Sequence, residues 1–303
     1  MSSASRFLCL TLTSAVACSA TGAARPTLAV TASQPPHVVS RPHASNAAVA
    51  DELRVCADPN NLPFSNARGE GFENAIASLA GQALHRRVIY TWWPQRRGFL
   101  RRTLEAGTCD VVMGVPAASD GLATTRPYYR STYVFVSRRN RGLDIRSFDD
   151  PRLRRLTIGI QLIGDDYANP PAAEALATRH LAGQVRGFPV YGDYNQPAPT
   201  RAIVDAVASG RVDVAVVWGP IAGFFARRAA APLRLEPVES AGPFAFAIAM
   251  GVRADDAVLR RALDQFIATH APTIDRVLAN FSVPRASDAQ PVTTSASTGG
   301  GAS

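Results

Sequence analysis

The sequence predicts an α/β protein built as two similar lobes, and three observations carry that prediction. Short apolar runs of strand length alternate with amphipathic stretches of helical period, the pattern of parallel sheets covered by helices. Two segments about a hundred residues apart, RRTLEAGTCDVVMGVP (101–116) and IVDAVASGRVDVAVVWGP (203–220), repeat one order of parts. Each reads as a helix, a glycine that suits its left-handed close, an aspartate opening a buried strand, and a Gly-X-Pro or Gly-Pro exit. The chain of 303 residues, 47% of them hydrophobic, is long enough to give each lobe its own core.

In chain order, residues 1–20 read as a secretory signal: Arg6 precedes an apolar run from Phe7 to about Ala17, followed by small residues. That run is too short for a permanent membrane helix, and no later run approaches the ~18 apolar residues a span needs, so no integral membrane span is expected. Residues 21–50, rich in Ala, Pro and Ser and without period, read as a flexible leader, and 286–303 as a disordered tail. Between them the expected strands are Leu53–Ala57, Val88–Thr91, Asp110–Val115, Thr132–Ser137, Leu156–Gln161, Val185–Val190 and Val212–Val217. Helices are expected at Phe72–Gly81, Gly98–Ala106, Pro171–Leu181 and Thr200–Ser209. A last strand and two helices return from Gly242 onward toward the first lobe.

Lysine is absent, so all 32 basic residues are arginine and the net charge of +8 does not titrate. Schiff-base and P-loop lysine chemistry is thereby excluded. The excess of positive charge favours an acidic partner; nucleic acid is not expected, because the arginines are spread along an exported chain. Five scattered histidines offer no Ser-His-Asp order and no metal-ligand spacing, so the chain is not expected to be an enzyme, nor to hold a metal or a cofactor. Of four cysteines, Cys9 and Cys18 fall in or beside the signal, leaving Cys56 and Cys109 in the folded part. With no base or CXXC companion beside Cys56, nucleophilic and redox roles fall away, and an exported protein with two cysteines invites one disulfide.

The segments CADPNNLPFSN, YTWWPQRRGF, GTCDVVMGVPA, TRPYYRSTYVFV, IGIQLIGDDYANPP, VYGDYNQPAP and VDVAVVWGPIAGFFARR resemble the MoxJ/XoxJ subgroup. These are homologues of amino-acid-type periplasmic solute-binding proteins, associated with PQQ-dependent (quinoprotein) methanol dehydrogenases. The resemblance implies a periplasmic-binding-protein-like α/β fold: two doubly wound lobes joined by two hinge strands, with a cleft between them. Lobe 1 would comprise 51–131 and 253–285, the hinge strands 132–137 and 244–252, and lobe 2 138–243. It implies a non-catalytic periplasmic accessory or maturation partner of a quinoprotein alcohol dehydrogenase. The alternative is the substrate-binding component of an ABC importer for a small polar or cationic solute. The family's strand order sets the first strand beside the third and so implies a Cys56–Cys109 disulfide.

In open α/β sheets ligands gather at the carboxyl ends of strands. That rule nominates Asp58, Asn60, Asn61, Trp92, Trp93 and Asp120 in lobe 1, and Asp165, Asp166, Asp193, Tyr194 and Trp218 in lobe 2. The blander reading of Asp58 to Asn61 is a turn whose side chains bond their own backbone, and that of Asp165 or Asp166 a helix cap. An amino-acid binder of this family needs an arginine after the third strand and an aspartate ending the last strand of lobe 2; here stand PAASDGL and Trp218-Gly219. Arg126 is the nearest substitute for the arginine. The cleft thus leans acidic and favours a cation over a free amino acid. TWWPQRRGFLRR joins two tryptophans to Arg96, Arg97, Arg101 and Arg102, the residue types that most often dominate protein interfaces, and is the candidate partner surface.

Overall fold

The computed structural model describes residues 51–162, 170–189, 196–240 and 242–286. The signal, the leader and most of the tail lie outside these, as do Asp165, Asp166, Asp193 and Tyr194. The chain begins with β1 (Glu52–Ala57), the two-residue strands β2 (Asn60–Asn61) and β3 (Ser65–Asn66), helix α1 (Phe72–Ala83), β4 (Arg87–Trp92), the one-turn helix α2 (Phe99–Arg102), β5 (Val111–Pro116) and β6 (Ala123–Thr124). β7 (Tyr129–Arg138) leads to the second lobe, which holds β8 (Ile158–Leu162), α3 (Pro171–Ala177), β9 (Val185–Pro189), α4 (Ala202–Ala208), β10 (Val214–Trp218), α5 (Gly219–Ala226) and β11 (Leu233–Pro237). β12 (Ala245–Val252) returns, and α6 (Ala257–Asn280) closes the first lobe.

Among the described residues ten strands form one curled sheet in the order β4-β1-β5-β12-β7-β10-β8-β9, with β6 beside β12 and β11 beside β7. The join is made by β7. Its first residues, Tyr129 to Thr132, pair antiparallel with Ile248 to Ala245 of β12, and Tyr133 to Ser137 then pair with β10. Alternation along β1 shows why the first lobe has two cores: Leu53, Val55 and Ala57 face the main core with α1 and α6, while Cys56 faces a smaller one with Phe99, Leu104 and Val112. Helix α1 presents Phe72, Ile76, Ala77 and Ala80 to the main core, one stripe at helical spacing.

The repeated sequence pattern has a structural meaning. Asp110 donates its backbone N–H to Arg54 O (2.7 Å) and its carboxylate accepts the Arg54 backbone N–H (3.3 Å). Asp213 does the same with Thr157, at 3.0 Å in each direction. In both lobes the aspartate pins the start of the inner strand to its parallel neighbour. Gly107 and Gly210, each in the left-handed region at φ +69° and +80°, turn the chain into that aspartate.

Cys56 and Cys109 form a disulfide with a Cα separation of 5.4 Å. Register alone would not bring them together, since Cys56 lies beside Val112. Three extended residues would add roughly 10 Å, so the chain bends at Thr108 to Asp110 before β5 begins. Three helices differ from expectation. α2 is one turn, because the Thr103 hydroxyl bonds back to Phe99 O (2.7 Å) and the chain continues as turns. α3 ends at Ala177, and His180 then turns the chain at φ +56°. The two final helices are one: α6 runs through Pro272 because Phe266, Ile267, Ile274 and Leu278 hold both halves to the same core.

Candidate functional site

The carboxyl ends of β1, β4 and β5 lie together at one edge of the first lobe, and the loop that follows β1 reaches the second lobe. Asp58, 1% exposed, is consumed in building this edge. One carboxylate oxygen accepts the Asn60 N–H (2.8 Å), the other accepts the Gln95 N–H (2.7 Å), and Ser65 Oγ donates to its carbonyl (2.8 Å). This is the turn-forming role, extended to a second loop. Asn61 is also buried and donates Nδ2–H to Gln95 Oε1 (2.9 Å). Gln95, which the sequence reading did not single out, is therefore held at both ends by the first loop.

Asn60 crosses to the second lobe. Its Nδ2 donates to Gln196 O (2.8 Å) and its Oδ1 accepts the Ala198 N–H (3.0 Å), while Thr200 Oγ1 donates to Leu62 O (2.5 Å). Leu62 and Phe64 pack against the core formed by α4 and α5. A second tie runs through the chain after α6, where Phe281 stacks on Phe224 (5.5 Å between ring centres). Gly223 permits this approach, since a Cβ there would sit 1.9 Å from Ser282 O.

Trp218 stands between the lobes, where an aspartate was expected for an amino-acid binder. Its ring lies 5.3 Å from Tyr133 and 5.8 Å from Phe246, and it packs against the main cores of both lobes. Its backbone N–H donates to Gln161 Oε1 (2.9 Å), so the position closes the hinge rather than presenting a charge. Trp92 and Trp93 point to opposite faces of the first sheet: Trp92 stacks on Tyr90 (4.5 Å) beside the main core, and Trp93 packs on the disulfide core with the Arg102 guanidinium 5.3 Å from its ring. Asp120 is exposed in the turn after β5. Arg126 is exposed beside α6, and its backbone N–H donates to Asp264 Oδ1 (2.6 Å).

Arg96, Arg97 and Arg101 are exposed and make no ion pair among the described residues. They rim a cavity of about 490 Å³ whose floor is Phe99, Val112, Val115 and Leu122. Of the nominated residues, the structure thus groups Asp58 and Asn61 with Gln95, and Arg96 and Arg97 follow Gln95 directly in the segment after β4. Glu73 was not anticipated. It lies in the first turn of α1, with its carboxylate so close to Gly114 that a Cβ there would fall 2.2 Å from Oε1. Its carboxylate makes no hydrogen bond or ion pair with any described residue, and burial pushes it up to about 8. The Tyr128 and Tyr129 phenols beside it are pushed well above their usual range, chiefly by burial and further by the Glu73 charge.

A ten-stranded sheet that curls into two lobes around a crossing strand pair is the architecture of a periplasmic binding protein. No family model matches the chain. It is 34% identical over 247 residues to the protein MoxJ of Methylorubrum extorquens, covering 78% of this chain and 82% of that one. The crystal structure of periplasmic binding protein XoxJ from Methylobacterium extorquens AM1 is 32% identical with a TM-score of 0.65, over 78% of this chain and all of that one. That of MxaJ from Methlophaga aminisulfidivorans MPT is 27% identical with a TM-score of 0.68, over 77% and 100%. The chain belongs to the MoxJ family.

Proposed function

We propose that the protein is an exported, non-catalytic accessory or maturation partner of a quinoprotein alcohol dehydrogenase of the methanol type, acting in the periplasm without a cofactor of its own. The observation that carries this reading is the use made of the cleft. Asn60 bridges the two lobes, Asp58 anchors two loops and Trp218 fills the hinge, so among the described residues the polar groups of Asn60 and Asp58 are spent on holding the molecule together. The charge left to meet a partner is on the outer loop, where Arg96, Arg97 and Arg101 lack counter-ions among the described residues and Arg102 is stacked on Trp93. Exposed arginines beside aromatic groups are frequent interface anchors, and long-range attraction to an acidic partner speeds association.

The test is binding of the purified protein to a methanol-type dehydrogenase by surface plasmon resonance. Wild type should bind, with affinity falling as salt rises, and the double variant Arg96→Glu, Arg97→Glu should bind at least about tenfold more weakly. Equal affinity of variant and wild type at low salt would remove this surface from the proposal, and no recovery of such an enzyme from periplasm would remove the partner.

A further inference from the structure

We propose that the arginine-rimmed cavity of the first lobe is a docking pocket for an acidic segment of a protein partner, one whose single large apolar side chain enters the pocket while flanking carboxylates meet the rim. This rests on the accessory reading for the kind of partner and adds the chemistry by which that partner is held.

The floor is apolar and packed into a core. Phe99, Val112 and Val115 are buried in the core that the Cys56–Cys109 disulfide joins, and Leu122 packs against it. Such a floor is ready to receive an apolar group without reorganising, which is how buried anchors at interfaces gain most of their energy. The rim is cationic: Arg96, Arg97 and Arg101 face a single acid, Glu105, and none of the four has an ion pair among the described residues. Guanidinium groups recognise carboxylates through paired hydrogen bonds. Gln95 adds direction. Because Asn61 occupies its Oε1, its Nε2 hydrogens are what remain for an incoming acceptor.

The occupant is a presented side chain rather than an engulfed solute. Every described residue lining the cavity belongs to the first lobe, between Gln95 and Leu122, so no described residue of the second lobe closes over it. Small-molecule sites bury most of their ligand's surface, usually between elements that enclose it. About 490 Å³ open on one side suits one aromatic side chain and its backbone.

The experiment uses the full protein and the blocked pentapeptide Asp-Glu-Trp-Glu-Asp, titrated by isothermal titration calorimetry against counterparts with Ala at the centre or Lys at the flanks. Wild type should bind the first peptide, lose about tenfold or more with the Ala-centred one, and not bind the Lys-flanked one. Ser119→Trp plugs the cavity from its rim, where Ser119 is half-buried and bonds only to Pro116 O. It should abolish the preference for the aromatic centre while thermal unfolding stays unchanged. Arg97→Glu should weaken both acidic peptides together. Equal binding of the Trp- and Ala-centred peptides, or a preference that survives Ser119→Trp, overturns the pocket. Tighter binding of free indole-3-propionate than of the peptide overturns its assignment to a protein segment. Capture of the dehydrogenase equally by wild type and Ser119→Trp overturns the pocket and leaves the accessory reading standing; selective peptide binding without capture of the dehydrogenase does the reverse.

Discussion

Asp110 and Asp213 open equivalent strands of the two lobes, each 56 residues after the residue whose backbone it clamps, yet their surroundings differ. Asp110 also holds the Arg54 and Arg253 guanidinium groups; burial alone would raise its carboxyl, but these bonds outweigh it and hold the group below the usual range. Asp213 has one ion pair, to the more exposed Arg141 at 3.0 Å. Beside Asp110 the first lobe has its disulfide. The second lobe has Val212 there, and Gly159 in the place of Cys56, with Ala215 and Phe188 close against it. At this strand start one topology is thus held by a disulfide and two arginines in the lobe that carries the arginine loop, and by one ion pair and apolar packing in the other. The lesson is that the first lobe is built to keep a surface rigid, and the second to complete a core.

The largest effect expected from that difference belongs to the disulfide. Removing it as Cys56→Ser with Cys109→Ser reopens a loop with a sequence separation of 53, at a cost of about 4 kcal/mol. Chemical unfolding should show a shift in midpoint, with near-UV signals of Trp93 lost first. A shift below about 1 kcal/mol would mean that the bond does not stiffen the lobe. Next come the aspartates. Asp110→Ala leaves two arginines without their acceptor and should cost about 3 kcal/mol, Asp213→Ala about 1 kcal/mol. Equal losses would break the asymmetry.

Glu73 sharpens the comparison through pH. Its carboxyl is raised to about 8 in the folded protein, against an ordinary value of 4.5, and Tyr90, Tyr128 and Tyr129 are the titratable groups around it. The folded state resists ionisation, so the first lobe is at full strength below pH 4.5 and weakens as pH rises toward 8. Glu73→Gln should therefore add about 2 kcal/mol at pH 8 to 9 and almost nothing at pH 4. The gain is held to that size because Glu73 is half-buried rather than sealed. A variant whose thermal midpoint follows wild type at every pH would mean that water already satisfies the carboxylate.

Most of the architecture was legible in the chain because it rests on periodicity and on turn residues. The Gly-X-X-Asp pattern at 107 and 210 marks two strands that do open alike, and alternation in Leu53 to Ala57 separates two cores. The site was less legible. Asp58 to Asn61 follow β1 in the sequence, but that Asn60 bonds a backbone 136 and 138 residues away is a tertiary fact with no local signal. Glu73 reads in sequence as an ordinary first-turn acid; only Gly114, brought against it by the sheet, makes it unusual. The two helices expected after the last strand are one for the opposite reason, since the packing on both sides of Pro272 overrides a strong local breaker.

The smallest effect tests whether the lobes move. Asn60→Ala deletes two hydrogen bonds across the cleft, worth about 1–2 kcal/mol together. Leu62 and Phe64 still pack into the second lobe, and Phe281 still lies on Phe224. Burial of such aromatic groups outweighs the two polar contacts. The radius of gyration from small-angle scattering should therefore stay at the wild-type value, with only a small loss in thermal midpoint. Phe64→Ala combined with Asn60→Ala should increase it, because the apolar tie is then lost as well. An opening already in the single variant would show that hydrogen bonds hold the lobes, as in a receptor that closes on its solute, and would weigh against the rigid accessory protein.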